Sequence, residues 1–365
     1  MAVREQGRAE QGSSDEGSAD QGSAGVKHAA VVYNPIKVDE EHLRSAVAER
    51  AAAAGWGETL WYETTVDDAG QILTGEAVLA GADVVMAAGG DGTVRAVAEA
   101  LRGTGVPLAL LPSGTGNLLA RNLDMTMNFD EGIQLMFTGY DRAIDVGLID
   151  IYRPVPSPEA DIARGESSEN EPPAGDTAPD EPVSTHVFLV IAGLGIDAKM
   201  IANTNSKLKK AVGWLAYVDG GLRAIPELHA ITMKVSIDNE EWRSVSSHSV
   251  MAGNCGLLPG GLLLIPDARP DDGVLDFMAL RPKGPFGWIR AWNKVAIENG
   301  VLAKSAAGRK IIELSPDVND VIYRQGTDLR LDLDEPQEIQ LDGDEFGRAS
   351  QIHVWIDPAA LMVRV

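Results

Sequence analysis

Two rhythms of apolar and polar positions run along the chain. Between residues 28 and 123, short apolar runs alternate with stretches of helical spacing. "HAAVVYNP", "ETLWYETT", "DVVMAAGG" and "VPLALLP" predict strands. Residues 40–54, 67–81 and 92–102 predict helices, the last with Val94, Val97, Ala98 and Leu101 on one face, and "GTGNLLARNL" opens another. Strands alternating with helices predict a parallel sheet covered on both faces. After residue 185 the period falls to two. "ITMKVSID", "HSVMAGN", "GGLLLIP", "GVLDFMALRP", "DLRLDLDE" and "QIHVWID" are short strands separated by Gly, Pro and Asp turns. They predict an antiparallel β-sandwich. The expected organisation is an α/β domain at 26–150, a β-sandwich at 185–350, and C-terminal strand at 351–365 that could return to the first domain.

Two segments break the pattern. Residues 1–25 hold two arginines against five acids, and residues 157–184 hold eight acids, one arginine and five prolines. Neither has the apolar content to offset the entropy of ordering, so both are expected to be disordered, as an acidic tail and an acidic insert. They carry much of the net charge of −23, which makes free nucleic acid an unfavourable partner. No apolar run is long enough to span a membrane, and the N-terminus lacks a signal-peptide core. The single cysteine, Cys255, fits a reducing cytoplasm, and six scattered histidines offer no zinc spacing. Residues 281–310 oppose the general acidity, with seven Lys or Arg against Glu298 and with Phe286, Trp288, Ile289 and Trp292 among them. That mixture suits transient contact with a membrane surface, or an ordinary helix with one buried face. Lys207, Lys209, Lys210 and Trp214 form a weaker group of the same kind. Oligomeric state is open, with a homodimer as one option.

The candidate chemistry lies where the first four strands end. In an open α/β sheet, ligands bind beyond the carboxyl ends of the strands. There the chain places "YNPIKVD" with Asn34, Pro35 and Lys37, then Thr65, then Gly89-Gly90-Asp91-Gly92-Thr93, then Ser113-Gly114-Thr115 with Asn117 and Arg121. Glycines let a backbone approach a ligand closely, and a helix N-terminus suits phosphate. Asp91 cannot be there to attract phosphate; it caps a helix, binds a ribose hydroxyl, or works through a metal.

"AAGGDGTVRAVAEAL" followed by "LPSGTGNLLARNL" resembles the diacylglycerol kinase catalytic-domain family, which includes bacterial soluble lipid kinases and sphingosine kinase relatives. "YNPIKVD", "AGLGIDA" with Asp197, "GNCGLLPGGLLLIPDARPDDGVLDF" and "QLDGDEF" resemble its further motifs in the same order. The resemblance implies a phosphofructokinase/NAD kinase-like nucleotide domain followed by a β-sandwich lipid domain, with ATP and Mg²⁺ as cofactors. It implies transfer of phosphate to a lipid hydroxyl, with diacylglycerol the first expectation. ATP would be held by residues 34–38, Thr65, Gly89 to Arg95, and the turn from Ser113 through Gly114 and Thr115 to Asn117. A structural magnesium would take the side chain of Asp272 and backbone groups of Arg269 and Val274.

The implied catalytic acids are Asp91, Asp342 and Asp344. Where the family has Asp-Gly-Glu, this chain reads Asp342-Gly343-Asp344 with Glu345 next, so the general base is Asp344, one methylene shorter, or Glu345. Asp342-Gly343 also reads as a hairpin turn. Ile36-Lys37-Val38 departs from the family's Ser-Gly and gives a charge where others have backbone contacts. Other readings are the same chemistry on a sphingoid base, phosphatidylglycerol or ceramide, phosphorylation of a soluble substrate as in NAD kinase, or a sensor without turnover.

Overall fold

The computed structural model describes residues 26–153, 184–195, 230–259, 261–295 and 320–365. The acidic tail, the insert up to residue 183, Asp197, the 207–214 group and the 296–310 part of the basic segment lie outside the described residues.

Four parallel strands, β1 (Ala29–Tyr33), β2 (Leu60–Glu63), β3 (Val84–Gly89) and β4 (Leu108–Pro112), pair in the order β4-β3-β1-β2. Their near-continuous apolar sequences are those of strands buried on both faces. Ala29, Val31 and Tyr33 of β1, with Val84, Met86 and Ala88 of β3, pack under α1 (Glu40–Ala53) and α5 (Phe129–Thr138). Ala30, Val32, Val85 and Ala87 face the other way, under α2 (Gln71–Leu79) and α3 (Asp91–Leu101). Each fully buried Val or Leu of these layers contributes about 1.5–3 kcal/mol. Asp39 starts α1 by accepting the His42 N–H at 3.0 Å, and Asn128 starts α5 by accepting the Glu131 N–H at 3.1 Å. The expected helix after β4 is short: α4 spans Leu118–Asn122, and residues 114–117 form an irregular turn before it.

The second half is antiparallel. β5 (Asp141–Tyr152) pairs with β6 (Ser184–Phe188), and β7 (Ile191–Gly195) lies between β10 (Ser249–Gly253) and β15 (Asp328–Leu341). β8 (Ile231–Ile237) joins β9 (Arg243–Ser247) to β15, while β13 (Leu275–Leu280) joins β10 to β14 (Val321–Gly326). A two-stranded ribbon, β11 (Leu257–Leu258) with β12 (Leu262–Leu263), and the helix α6 (Gly284–Asn293) stand beside them. Leu194, Val250, Phe277, Leu331, Ile339 and Val354 fill the core of this half. Neither β5 nor α5 was expected from the sequence pattern.

The last strand, β16 (Asp344–Arg364), ties the halves together. It pairs antiparallel with β15 and β5. Its end pairs parallel with β4, Val363 opposite Leu108 and Arg364 opposite Ala109. The strand therefore begins at residue 344, inside the region assigned from sequence to the sandwich alone, and finishes in the first sheet. A bulge between Asp357 and Leu361 leaves the Ala359 N–H free to reach Asp145 at 2.7 Å. The buried Asp145 also accepts from Gly273 N–H at 2.7 Å. One carboxylate thus fixes the 270–273 loop against the strand that joins the two halves.

Candidate active site

Where β1, β3 and β4 end, their turns meet the start of β16 around a cleft of about 570 Å³. Asn34, Lys37, Gly90–Thr93, Gly114–Gly116 and Asp344 line one end of it. Ile191, Met251, Leu258, Leu264, Leu280 and Trp288 line the other.

The polar end is built by close contact of two turns. A Cβ placed on Gly114 would lie 2.8 Å from Gly90 Cα, so no other residue fits there without moving the backbone. Asp91 joins the turns through its side chain, accepting the N–H of Asn117 at 3.0 Å and of Leu118 at 2.6 Å. Of the roles left open from sequence, it performs helix capping, on α4 rather than on its own helix. Burial pushes its carboxyl upward, the two N–H groups oppose this, and the nearby Asp344 adds to the rise.

Several expected nucleotide contacts are occupied elsewhere. Asn117, at φ 48°, closes its own turn: its amide donates to Gly114 O at 3.0 Å and its carbonyl accepts the Gly114 N–H at 2.8 Å. Ser113 donates to Leu111 O at 3.0 Å. Thr65 Oγ1 accepts the Asp68 N–H at 3.1 Å, while Ala69 lines the cleft in that loop. Gly89 packs on Thr93 and shapes the start of α3. Asn34 accepts the Ile36 N–H at 3.0 Å, which folds the Pro35 turn and brings Lys37 to the cleft wall. Arg95 is not a wall residue; its guanidinium turns to Asp344 at 2.8 Å.

The two acids of the β15–β16 turn have opposite environments. Asp342, at φ 51°, and Gly343, at φ 92°, form a tight turn with both residues left-handed, as a two-residue hairpin requires. Asp342 is buried and accepts the N–H groups of Leu189, Val190 and Ile191 at 2.9, 2.8 and 3.0 Å. Burial pushes its carboxyl up, against these N–H groups and the charge of Arg95. Asp342 also lines the cleft beside Asp344, with both of its oxygens taken up by these N–H groups. It clasps the β6–β7 turn, together with Asn254, whose amide donates to Asp145 O and Leu189 O. Asp344 is half exposed and lines the cleft, whereas Glu345 is exposed and outside it. Alternation along β16 separates the two.

The basic helix turns Trp288 and Ala291 inward. Trp288 is buried against His248, with ring centroids 5.2 Å apart, and forms cleft wall with Ala291 and Val295. Arg290 pairs with the buried Asp320 at 2.8 Å, and Lys294 lies over the Tyr323 ring.

For magnesium, the donor set Arg269, Asp272 and Val274 lies in the loop before β13. Among the described residues no three His, Cys, Asp or Glu side chains form a metal-binding group. The expected set is of another kind, one carboxylate with backbone oxygens. The buried Asp276 lies nearby with an oxygen lacking any hydrogen-bond partner, and its pKa is pushed up to about 6 by burial and by Asp267 and Asp272. One carboxylate, Asp272, with backbone oxygens of the same loop is donor chemistry that suits a hard divalent cation.

Residues 28–149 match the family "Diacylglycerol kinase catalytic domain", and residues 190–365 match "YegS C-terminal NAD kinase beta sandwich-like domain". A "Probable lipid kinase YegS-like" protein of Pseudomonas savastanoi pv. phaseolicola is 30% identical over 73% of this chain and 75% of its own length. Another of that name, from Pseudomonas aeruginosa strain PAO1, is 34% identical over 66% of this chain and 68% of its own. The chain belongs to the YegS-like lipid kinase family. A crystal structure of a diacylglycerol kinase from Bacillus anthracis has the same fold, with a TM-score of 0.61 at 17% identity over 93% of this chain and 96% of that one. In this YegS-like chain the glycine turns and the Asp342-Gly343-Asp344 hairpin were legible as motifs. The apolar wall was not, because its residues come from β7, β10, β11, β13 and α6 with no shared spacing. No helix among the described residues is long and apolar enough to cross a membrane.

Proposed function

We propose that the protein transfers the γ-phosphoryl group of ATP to the hydroxyl of diacylglycerol, yielding phosphatidic acid and ADP. One observation carries this reading: a single cleft has glycine turns, a helix N-terminus and an accessible carboxylate at one end and an apolar wall at the other. The α3 N-terminus, with the Gly90–Thr93 and Gly114–Gly116 backbone, suits the phosphates, and Lys37 adds a positive charge beside them. The wall around Met251, Leu264 and Trp288 suits acyl chains and leaves the polar head near Asp344. Asp344 accepts the hydroxyl proton as the oxygen attacks phosphorus and the bond to ADP breaks. A positioned base of this kind contributes about 10²–10⁴-fold. Bound to the phosphates, magnesium would supply charge neutralisation; at the Asp272 loop it would hold the segment leading into β13.

A panel assay tests the reading. Phosphoryl transfer from γ-labelled MgATP is followed with diacylglycerol, sphingosine, ceramide, phosphatidylglycerol and NAD offered separately, the lipids in mixed micelles. Label on diacylglycerol above the others supports it. Label on another lipid changes the substrate alone, and label on NAD only overturns it.

A further inference from the structure

The pair between Arg95 and Asp344 ties α3 to the start of β16. Arg95 stands one turn after Asp91 on α3, and Asp344 is the first residue of β16. Arg95 Nη2 lies 2.8 Å from Asp344 Oδ2, and the arginine side chain is only 12% exposed. Its guanidinium also lies over the Phe346 ring, 4.4 Å from the centroid. Phe346 follows Asp344 by two residues, so both side chains leave β16 on the face toward α3. The ring of His186 packs edge-on against Phe346 at 4.7 Å. Burial, with the charges of Arg95 and Arg153, pushes the His186 pKa down, which favours a neutral ring there. The guanidinium is thus held between the aromatic face and the carboxylate, with its buried Nε making no hydrogen bond. At the far side of the pair, a Cβ on Gly92 would come within 2.9 Å of Asp344 Oδ2. The carboxylate rests directly on the backbone at the start of α3.

We propose that Arg95 is a positioning residue for phosphoryl transfer: it draws the short Asp344 carboxylate to the phosphate end of the cleft and does not itself bind ATP. This rests on the reading of Asp344 as the base. An aspartate stands here where a longer glutamate is the family pattern, and the Arg95 contact holds it against the Gly92 backbone. A glutamate in that space would have to fold back or displace the arginine. The pair is half exposed at its acidic end, so little stability is expected from it. What it provides is aim, and a base must come within hydrogen-bond reach of the hydroxyl it deprotonates.

Kinetics of the full-length chain test the proposal, using diacylglycerol in mixed micelles and MgATP. The variants are Arg95→Met, Arg95→Lys, Asp344→Asn and the double variant Arg95→Met with Asp344→Asn. Binding of MgATP is measured by calorimetry alongside. Arg95→Met is expected to lower kcat on the order of 10²-fold, the cost of a base misplaced by about 1 Å. The MgATP Kd should stay within about threefold, since the interaction removed matters for turnover rather than ground-state binding. Arg95→Lys should recover part of the rate, because a lysine keeps the charge without the planar stack. In the Asp344→Asn background, Arg95→Met should cost nothing further, because the two act as one unit. A Kd for MgATP raised about tenfold with kcat retained would overturn the proposal and make Arg95 a phosphate ligand. Multiplicative losses in the double variant would also overturn it. Wild-type turnover by Asp344→Asn would instead remove the base reading beneath it. If Arg95→Met fails to fold, the Lys variant carries the same comparisons.

Discussion

Asp342 and Asp344 stand two residues apart, and their replacement should give opposite phenotypes. In Asp342→Ala, three buried N–H groups lose their acceptor at once. Hydrogen bonds to a charged acceptor contribute about 1.5–3 kcal/mol each. Part of that is offset, because the alanine no longer buries a carboxylate, which costs several kcal/mol. The net expectation is about 3–5 kcal/mol, the usual penalty for removing one member of a buried charged network. At about 2–4 °C per kcal/mol, the melting temperature falls by about 6–20 °C. Asp344→Asn removes one half-exposed ion pair, for about 1 kcal/mol or less. Its melting temperature should stay within about 4 °C of wild type. Its turnover should fall about 10²–10⁴-fold. Thermal melts by circular dichroism, with label transfer on the same samples, separate the two. An Asp342→Ala protein that melts like wild type would refute the clasp, as would an Asp344→Asn protein destabilised to the same degree.

Two further outcomes are expected. Replacing residues 157–182 by a direct connection should leave the melting temperature and the turnover nearly unchanged, because Ile151 already pairs with Ser184 and a hairpin needs only a short loop there; loss of folding would contradict this. Magnesium should raise the melting temperature more at pH 7.5 than at pH 5. With a folded pKa raised to about 6, Asp276 is charged at the higher pH, where its burial, and next its repulsion with Asp267 and Asp272, lowers stability and a cation relieves it; Asp272→Ala should abolish the effect, and an equal rise at both pH values would contradict it.

The alternation of apolar runs and helical stretches made the parallel sheet legible, because a strand buried on both faces leaves a continuous apolar signature. β5 carries no such signature. Its sequence places Asp145, Gly147 and Asp150 in mid-strand, and Asp145 is tolerated there only because Gly273 and Ala359 come from far along the chain to donate to it. α5 was hidden in the same way by Gly132, which packs against Leu111 of β4. At the site, spacing located the turns and not the direction of each polar group. Asn117 and Ser113 have ligand chemistry, but their atoms are spent on their own backbone. Asp342 and Asp344 look equivalent in sequence. The two left-handed residues of the turn bury one against the 189–191 backbone and leave the other half exposed, both of them at the cleft. Trp288 among basic residues resembles a membrane-facing aromatic until helix α6 turns it inward.

The most direct test of the central claim is transfer of label from γ-labelled MgATP to diacylglycerol in mixed micelles, wild type beside Asp344→Asn. Labelled phosphatidic acid is expected from the wild type and nearly none from a variant that is folded and still binds ATP. Equal label from both would contradict the assignment of Asp344, and no label on diacylglycerol from the wild type would contradict the proposed reaction.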